Sequence, residues 1–121
     1  MTLEECYAAM NGNYADAIGR LRSERLIQKF VLKLPQDDSF DLLCRSWDAK
    51  DYKEAFRAAH TIKGICQNLS ITRLGESASR LTEALRDGWT PAADGLVEEV
   101  KGDYRDTVDA IRTFEAGLAA T

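Results

Sequence analysis

His60 is the only histidine in the chain, and it stands in the run Ala58-Ala59-His60-Thr61-Ile62-Lys63-Gly64. Imidazole keeps one ring nitrogen unprotonated and nucleophilic near neutral pH. Lys63 follows three residues on, Gly64 four and Gln67 seven. A helix turns once every ~3.6 residues, so in a helix these four share one face. A lysine one turn away balances negative charge arriving at the nitrogen. Glycine inside an exposed helix costs about 0.5–1 kcal/mol relative to alanine, which points to something that must come close. Nucleophile, cation and clearance together suit an anionic electrophile such as a phosphoryl group.

The element that must hold them is the surrounding helix. Tyr52, Ala55, Ala59, Ile62, Cys66 and Leu69 are spaced 3, 4, 3, 4 and 3 apart, a core-facing seam. At about 100° per residue, His60 points roughly 120° away from the middle of that seam and is expected at the surface. Asp51-Tyr52-Lys53-Glu54 resembles a capping box with aspartate as the cap, and the helix is predicted to run to about Leu69. Lys53, Arg57 and Lys63 lie on the side that bears His60. With Phe56 they are candidates for supporting the site or docking a partner.

The rest of the chain also reads as helix. Thr2 caps a first helix from Leu3, which ends at Asn11-Gly12-Asn13. A short segment spans Tyr14 to Arg22. Ser23 caps a helix through Leu34 with an apolar stripe on Leu26, Ile27, Phe30, Val31 and Leu34. Pro35 breaks or kinks it, so whether the next helix continues through the proline stays open. That helix, about Asp38 to Lys50, is expected to bury Phe40, Leu43, Cys44 and Trp47. After the His60 helix, Thr72 is a predicted cap for a helix on Leu74, Ala78, Leu81 and Leu85, ending at Asp87-Gly88. Pro91 or Asp94 starts the last, with a seam on Val97, Val100, Tyr104, Val108, Ile111, Phe114 and Leu118. Short connections favour antiparallel neighbours. The expected fold is all-α: an antiparallel up-and-down four-helix bundle with an additional short N-terminal helical segment.

Composition narrows the classes of function. The 121 residues are expected to form one bundle domain, spanning 1–121, with a real hydrophobic core. No apolar run approaches a membrane span and no basic-plus-apolar leader opens the chain, so a cytoplasmic protein is expected. Cys6, Cys44 and Cys66 form no C-x-x-C pair, which argues against disulfides and structural zinc. A net charge of −4 argues against nucleic-acid binding. The basic face around His60 stands out against that acidic background and suits a phosphoryl group and a partner with an acidic pocket.

His60-Thr61-Ile62-Lys63-Gly64 resembles the H-x-x-K-G motif of histidine-containing phosphotransfer (HPt) domains of bacterial phosphorelays. Asp48 to Tyr52 is similar to the family's turn before the histidine helix, and Asn68 to Leu74 to its passage into the next helix. The likeness covers nearly the whole chain, most specifically Asp51 to Arg86. Ser70 departs from it, standing where the family usually has glycine. The resemblance implies that His60 is phosphorylated by the phospho-aspartate of a receiver domain and passes the group to another receiver. One receiver can belong to a hybrid histidine kinase. Mg²⁺ is expected in the receiver, with no cofactor bound by this chain, and a monomer is expected. Lys63 would stabilise the phosphoryl oxygens and Gly64 would let the receiver approach. Gln67, or Thr82 on the next helix, would fix the imidazole tautomer, although some family members place an amide at the position of Thr82.

No glycine-rich nucleotide loop is present, so no ATP-dependent kinase activity is expected. Two other readings stay open. One is a helical adaptor that binds a receiver or histidine kinase without taking phosphate. The other uses His60 to bind a metal, for which one histidine and no suitably spaced cysteines or carboxylates are a poor ligand set.

Overall fold

A computed structural model describes residues 1–120. Four helices follow one another through short turns: α4 (Ser39–Asp48), α5 (Tyr52–Leu69), α6 (Thr72–Leu85) and α7 (Pro91–Ala119). Each packs against its neighbour in sequence, the up-and-down arrangement that short connections impose. The ring closes where Phe40 of α4 stacks on Tyr104 of α7, centroids 3.8 Å apart and nearly parallel. Among the described residues there is no strand, and no helix is long and apolar enough to cross a membrane.

The seam predicted on the His60 helix is the one that packs. Ala55, Ala59, Ile62, Cys66 and Leu69 are buried, joined by Ala58, while Tyr52 is half-buried. Asp51 caps α5 by accepting the Glu54 N–H at 3.2 Å. Only half of the capping box forms, because the Glu54 carboxylate turns to Arg57 at 2.9 Å. The α7 seam runs buried from Val97 to Phe114, with Tyr104 half-buried. It stops short of Leu118, which is 39% exposed because α7 continues past the core. On α4 only Leu43 of the four predicted apolar residues is fully buried; Phe40, Cys44 and Trp47 are half-buried.

Pro35 ends α3. A single 3₁₀ turn, Leu34–Gln36, leads into extended Asp37, so α3 and α4 are separate helices. Thr72 is not the cap of α6: Ile71 holds that position, and the Thr72 hydroxyl donates to the Ser70 carbonyl at 3.4 Å.

The additional N-terminal segment comprises α1 (Leu3–Ala9), α2 (Tyr14–Leu21) and α3 (Glu24–Lys33), capped by Thr2, Asn13 and Ser23. Part of it fastens the far end of α5. The Tyr7 hydroxyl donates to the Leu69 carbonyl at 2.7 Å, and the Asn13 N–H donates to the Ser70 carbonyl at 2.8 Å. Ser70 ends α5 in the left-handed region, φ 55°, a conformation glycine adopts without the clash a Cβ brings. The departure from glycine is accommodated by α2. The Ser70 hydroxyl donates to Asp16 at 2.6 Å and accepts from Arg20 at 3.2 Å. Arg20 also donates to the Gln67 and Asn68 carbonyls, which a helix end leaves without partners.

Candidate functional site

With the seam of α5 packed inward, His60 is exposed on the opposite side. Gly64 is exposed one turn on, and a Cβ added there would meet nothing within 4 Å. The bundle itself therefore has no steric need for glycine at this position. Lys63 is half-buried beside the imidazole and has no ion-pair partner within 4 Å among the described residues. The site is an open helix face rather than a cleft. An apolar groove of about 200 Å³ lies to one side, between α3 and α5, lined by Phe30, Leu34, Ile65 and Leu69 among others, and His60 is not part of it.

Phe56 lies one turn before His60, where side chains four apart meet. Its ring lies 6.1 Å from the imidazole, centroid to centroid, with 6° between the planes. Over the same phenyl ring, 5.6 Å from its centroid, sits the Arg86 guanidinium, at the C-terminal end of α6. Two hydrogen bonds to the Glu83 carboxylate hold that guanidinium, at 2.7 Å from Nη2 and 3.2 Å from Nε. Those bonds and the Arg86 charge hold the Glu83 carboxyl below the usual carboxylate range, and the positive charge of Lys63 adds to the effect.

Glu83 and Arg86 were not among the residues singled out in the sequence. Their i, i+3 spacing signals a helical ion pair. That the pair faces Phe56 depends on how α6 is rotated against α5.

The remaining candidates divide. Lys53 and Arg57 are exposed; Arg57 is paired with Glu54 at 2.9 Å, and Lys53 has no ion pair among the described residues. Gln67 is exposed two turns beyond His60, makes no side-chain hydrogen bond to it, and lines a polar groove with Asp16, Arg20 and Ser70. Thr82 is fully buried and donates its hydroxyl to the Ala78 carbonyl at 2.7 Å. It does not serve as a hydrogen-bond partner of the imidazole, which corrects the expectation for that residue. The signal was available: Thr82 follows Ala78 by four residues, so it falls on the buried stripe of α6. Among the described residues, no three His, Cys, Asp or Glu side chains come together as a metal site.

No curated protein and no solved structure matches the chain. The sequence model of the Hpt domain matches residues 25–114. Hpt domains carry phosphoryl groups on histidine within phosphorelays and have no kinase activity of their own. The matched span takes in α4, α5 and α6 whole, with His60, Lys63 and Gly64 inside it, and covers well over half of the sequence: the chain belongs to the Hpt domain family.

Proposed function

We propose that His60 accepts a phosphoryl group from the phospho-aspartate of a receiver domain and passes it to an aspartate of a second receiver. The observation that carries this reading is the exposed imidazole beside the bare backbone of Gly64, on a chain of a phosphoryl-carrying family. The unprotonated ring nitrogen attacks phosphorus in line with the aspartyl oxygen. The N–P bond forms as the acyl P–O bond breaks, and its electron pair leaves on the carboxylate.

The transition state is loose and spreads charge over three equatorial oxygens, so positioning and electrostatics supply most of the catalysis. Lys63 is the cation placed to meet that charge, and it acts as a point charge rather than a bidentate clamp. The receiver brings an acidic pocket and its Mg²⁺ to the basic side of α5, where Lys53 and Arg57 assist docking. Such a relay works in the cytoplasm, with this chain as a monomeric carrier and the receivers as its partners.

The test is incubation with phosphorylated receivers, followed by mapping of the modified residue. The expected product is acid-labile, base-stable phosphate on His60. Receiver binding without any phosphate on the chain would instead identify an adaptor.

A further inference from the structure

No hydrogen bond joins the His60 ring to any described side chain or backbone group, so its plane is not set in the usual way for a working histidine. An in-line attack nevertheless requires the nitrogen to be aimed at phosphorus. The aromatic ring beside the imidazole is Phe56, nearly parallel to it. Phe56 is itself half-buried and is covered from α6 by Arg86. Arg86 is in turn gripped through two bonds by Glu83, one turn earlier on the same helix.

We propose that Arg86, clamped by Glu83, is a positioning residue that orients the His60 imidazole by holding the Phe56 ring against it. The proposal rests on reading His60 as the phosphoryl acceptor and adds to it the device that aims the ring.

Each link has a physical reason. Aromatic rings attract a cation over their faces, and a planar guanidinium stacks there as an ammonium does not. A forked guanidinium–carboxylate pair fixes direction as well as distance, which a single bond does not. Glu83 remains ionised because the Arg86 hydrogen bonds and charge, with the charge of Lys63, favour its carboxylate. The other arginine of this face, Arg57, is engaged by Glu54 and does not compete for the carboxylate. The relay also crosses from α6 to α5, so the rigid packing of those two helices transmits the orientation.

The test needs a readout that docking does not move. In the full chain, the chemical shifts of the His60 ring protons report the nearby Phe56 ring current. Phosphoramidate phosphorylates a histidine without presenting a receiver surface. Arg86→Ala is expected to shift the His60 ring protons in the direction produced by Phe56→Leu. It should also slow phosphorylation by phosphoramidate about tenfold, less than the roughly hundredfold that a 1 Å misplacement can cause. Glu83→Gln should act in the same direction and more weakly. Both Arg86 and Glu83 are exposed, so the variants are expected to fold. Unchanged ring-proton shifts and an unchanged phosphoramidate rate in Arg86→Ala overturn the proposal. Loss confined to transfer from a receiver overturns it as well, and makes Arg86 a docking residue. Failure of the parent protein to form phospho-His60 with any donor would sink the carrier reading, a result distinct from an unmoved shift.

Discussion

Gly64 and Gly75 belong to two regions of the same helix pair and are there for opposite reasons. At Gly75, on the buried side of α6, an added Cβ would come within 3.1 Å of the Cys66 Cβ. That atom is bonded to the α5 backbone and cannot swing away, so a side chain at position 75 would require α5 and α6 to part by a few tenths of an ångström. At Gly64 an added Cβ meets open space. The seam is apolar, built from Ala59, Ile62, Cys66, Leu74 and Ala78, all buried. The outer face is charged and accessible. A glycine that packing requires has its explanation inside the chain. One that weakens its helix by about 0.5–1 kcal/mol without a packing role has its explanation in what comes from outside.

The contrast is broken most directly at His60. His60→Gln is expected to abolish phosphoryl acceptance while changing stability by no more than about 0.5 kcal/mol, as surface substitutions do. A thermal melt checks the second half, and a large drop would mean that the histidine is part of the packing. Next in size is Lys63→Ala. Transfer in both directions should slow by about ten- to a hundredfold, at or below the roughly hundredfold minimum that losing a preorganised oxyanion donor costs. Affinity for the unphosphorylated receiver should change much less. Equal losses in rate and affinity would make Lys63 a docking residue.

On the seam side, Gly75→Val is expected to cost about 1–3 kcal/mol in denaturant unfolding, because overpacking forces the two helices apart. No loss would show that the contact with Cys66 is slack. Gly64 sharpens the contrast from the other side. Gly64→Ala should preserve stability or raise it by up to about 1 kcal/mol through helix propensity. Gly64→Gln should slow transfer from a receiver, and a wild-type rate there would remove clearance as the reason for glycine.

A separate effect of burial concerns the thiols. Burial pushes the Cys66 thiol up from about 9 to about 12, and it pushes Cys6 up to about 11. In the native protein at pH 8, half-buried Cys44 should therefore be alkylated before either. The folded state holds the Cys66 proton more tightly, so the unfolded chain loses it first. Stability accordingly falls as pH rises from about 9 toward about 12. A pH series of melts checks the sign.

Much of this is legible in the sequence. The α5 seam, the Asp51 cap, the end at Leu69 and the outward direction of His60 follow from periodicity and capping, which act over a single turn or two. The stop at Pro35 was legible, but not what followed it, because a proline forbids continuation without choosing the next turn. Thr72 looked like a cap by residue type. The chain instead uses Ile71, since the left-handed Ser70 sets where α6 begins.

What the sequence by itself determined is the helix that carries the chemistry: its length, its buried stripe, and the placing of His60, Lys63 and Gly64 on one outer face. Those are local consequences of a 3.6-residue repeat, and they hold wherever the helix is packed. Only the tertiary structure decided what stands beside that face. The packing of α6 against α5 turns Thr82 into the core and brings Arg86, held by Glu83, over Phe56. No spacing within either helix contains that packing, because it arises from the fit of two surfaces from different parts of the chain.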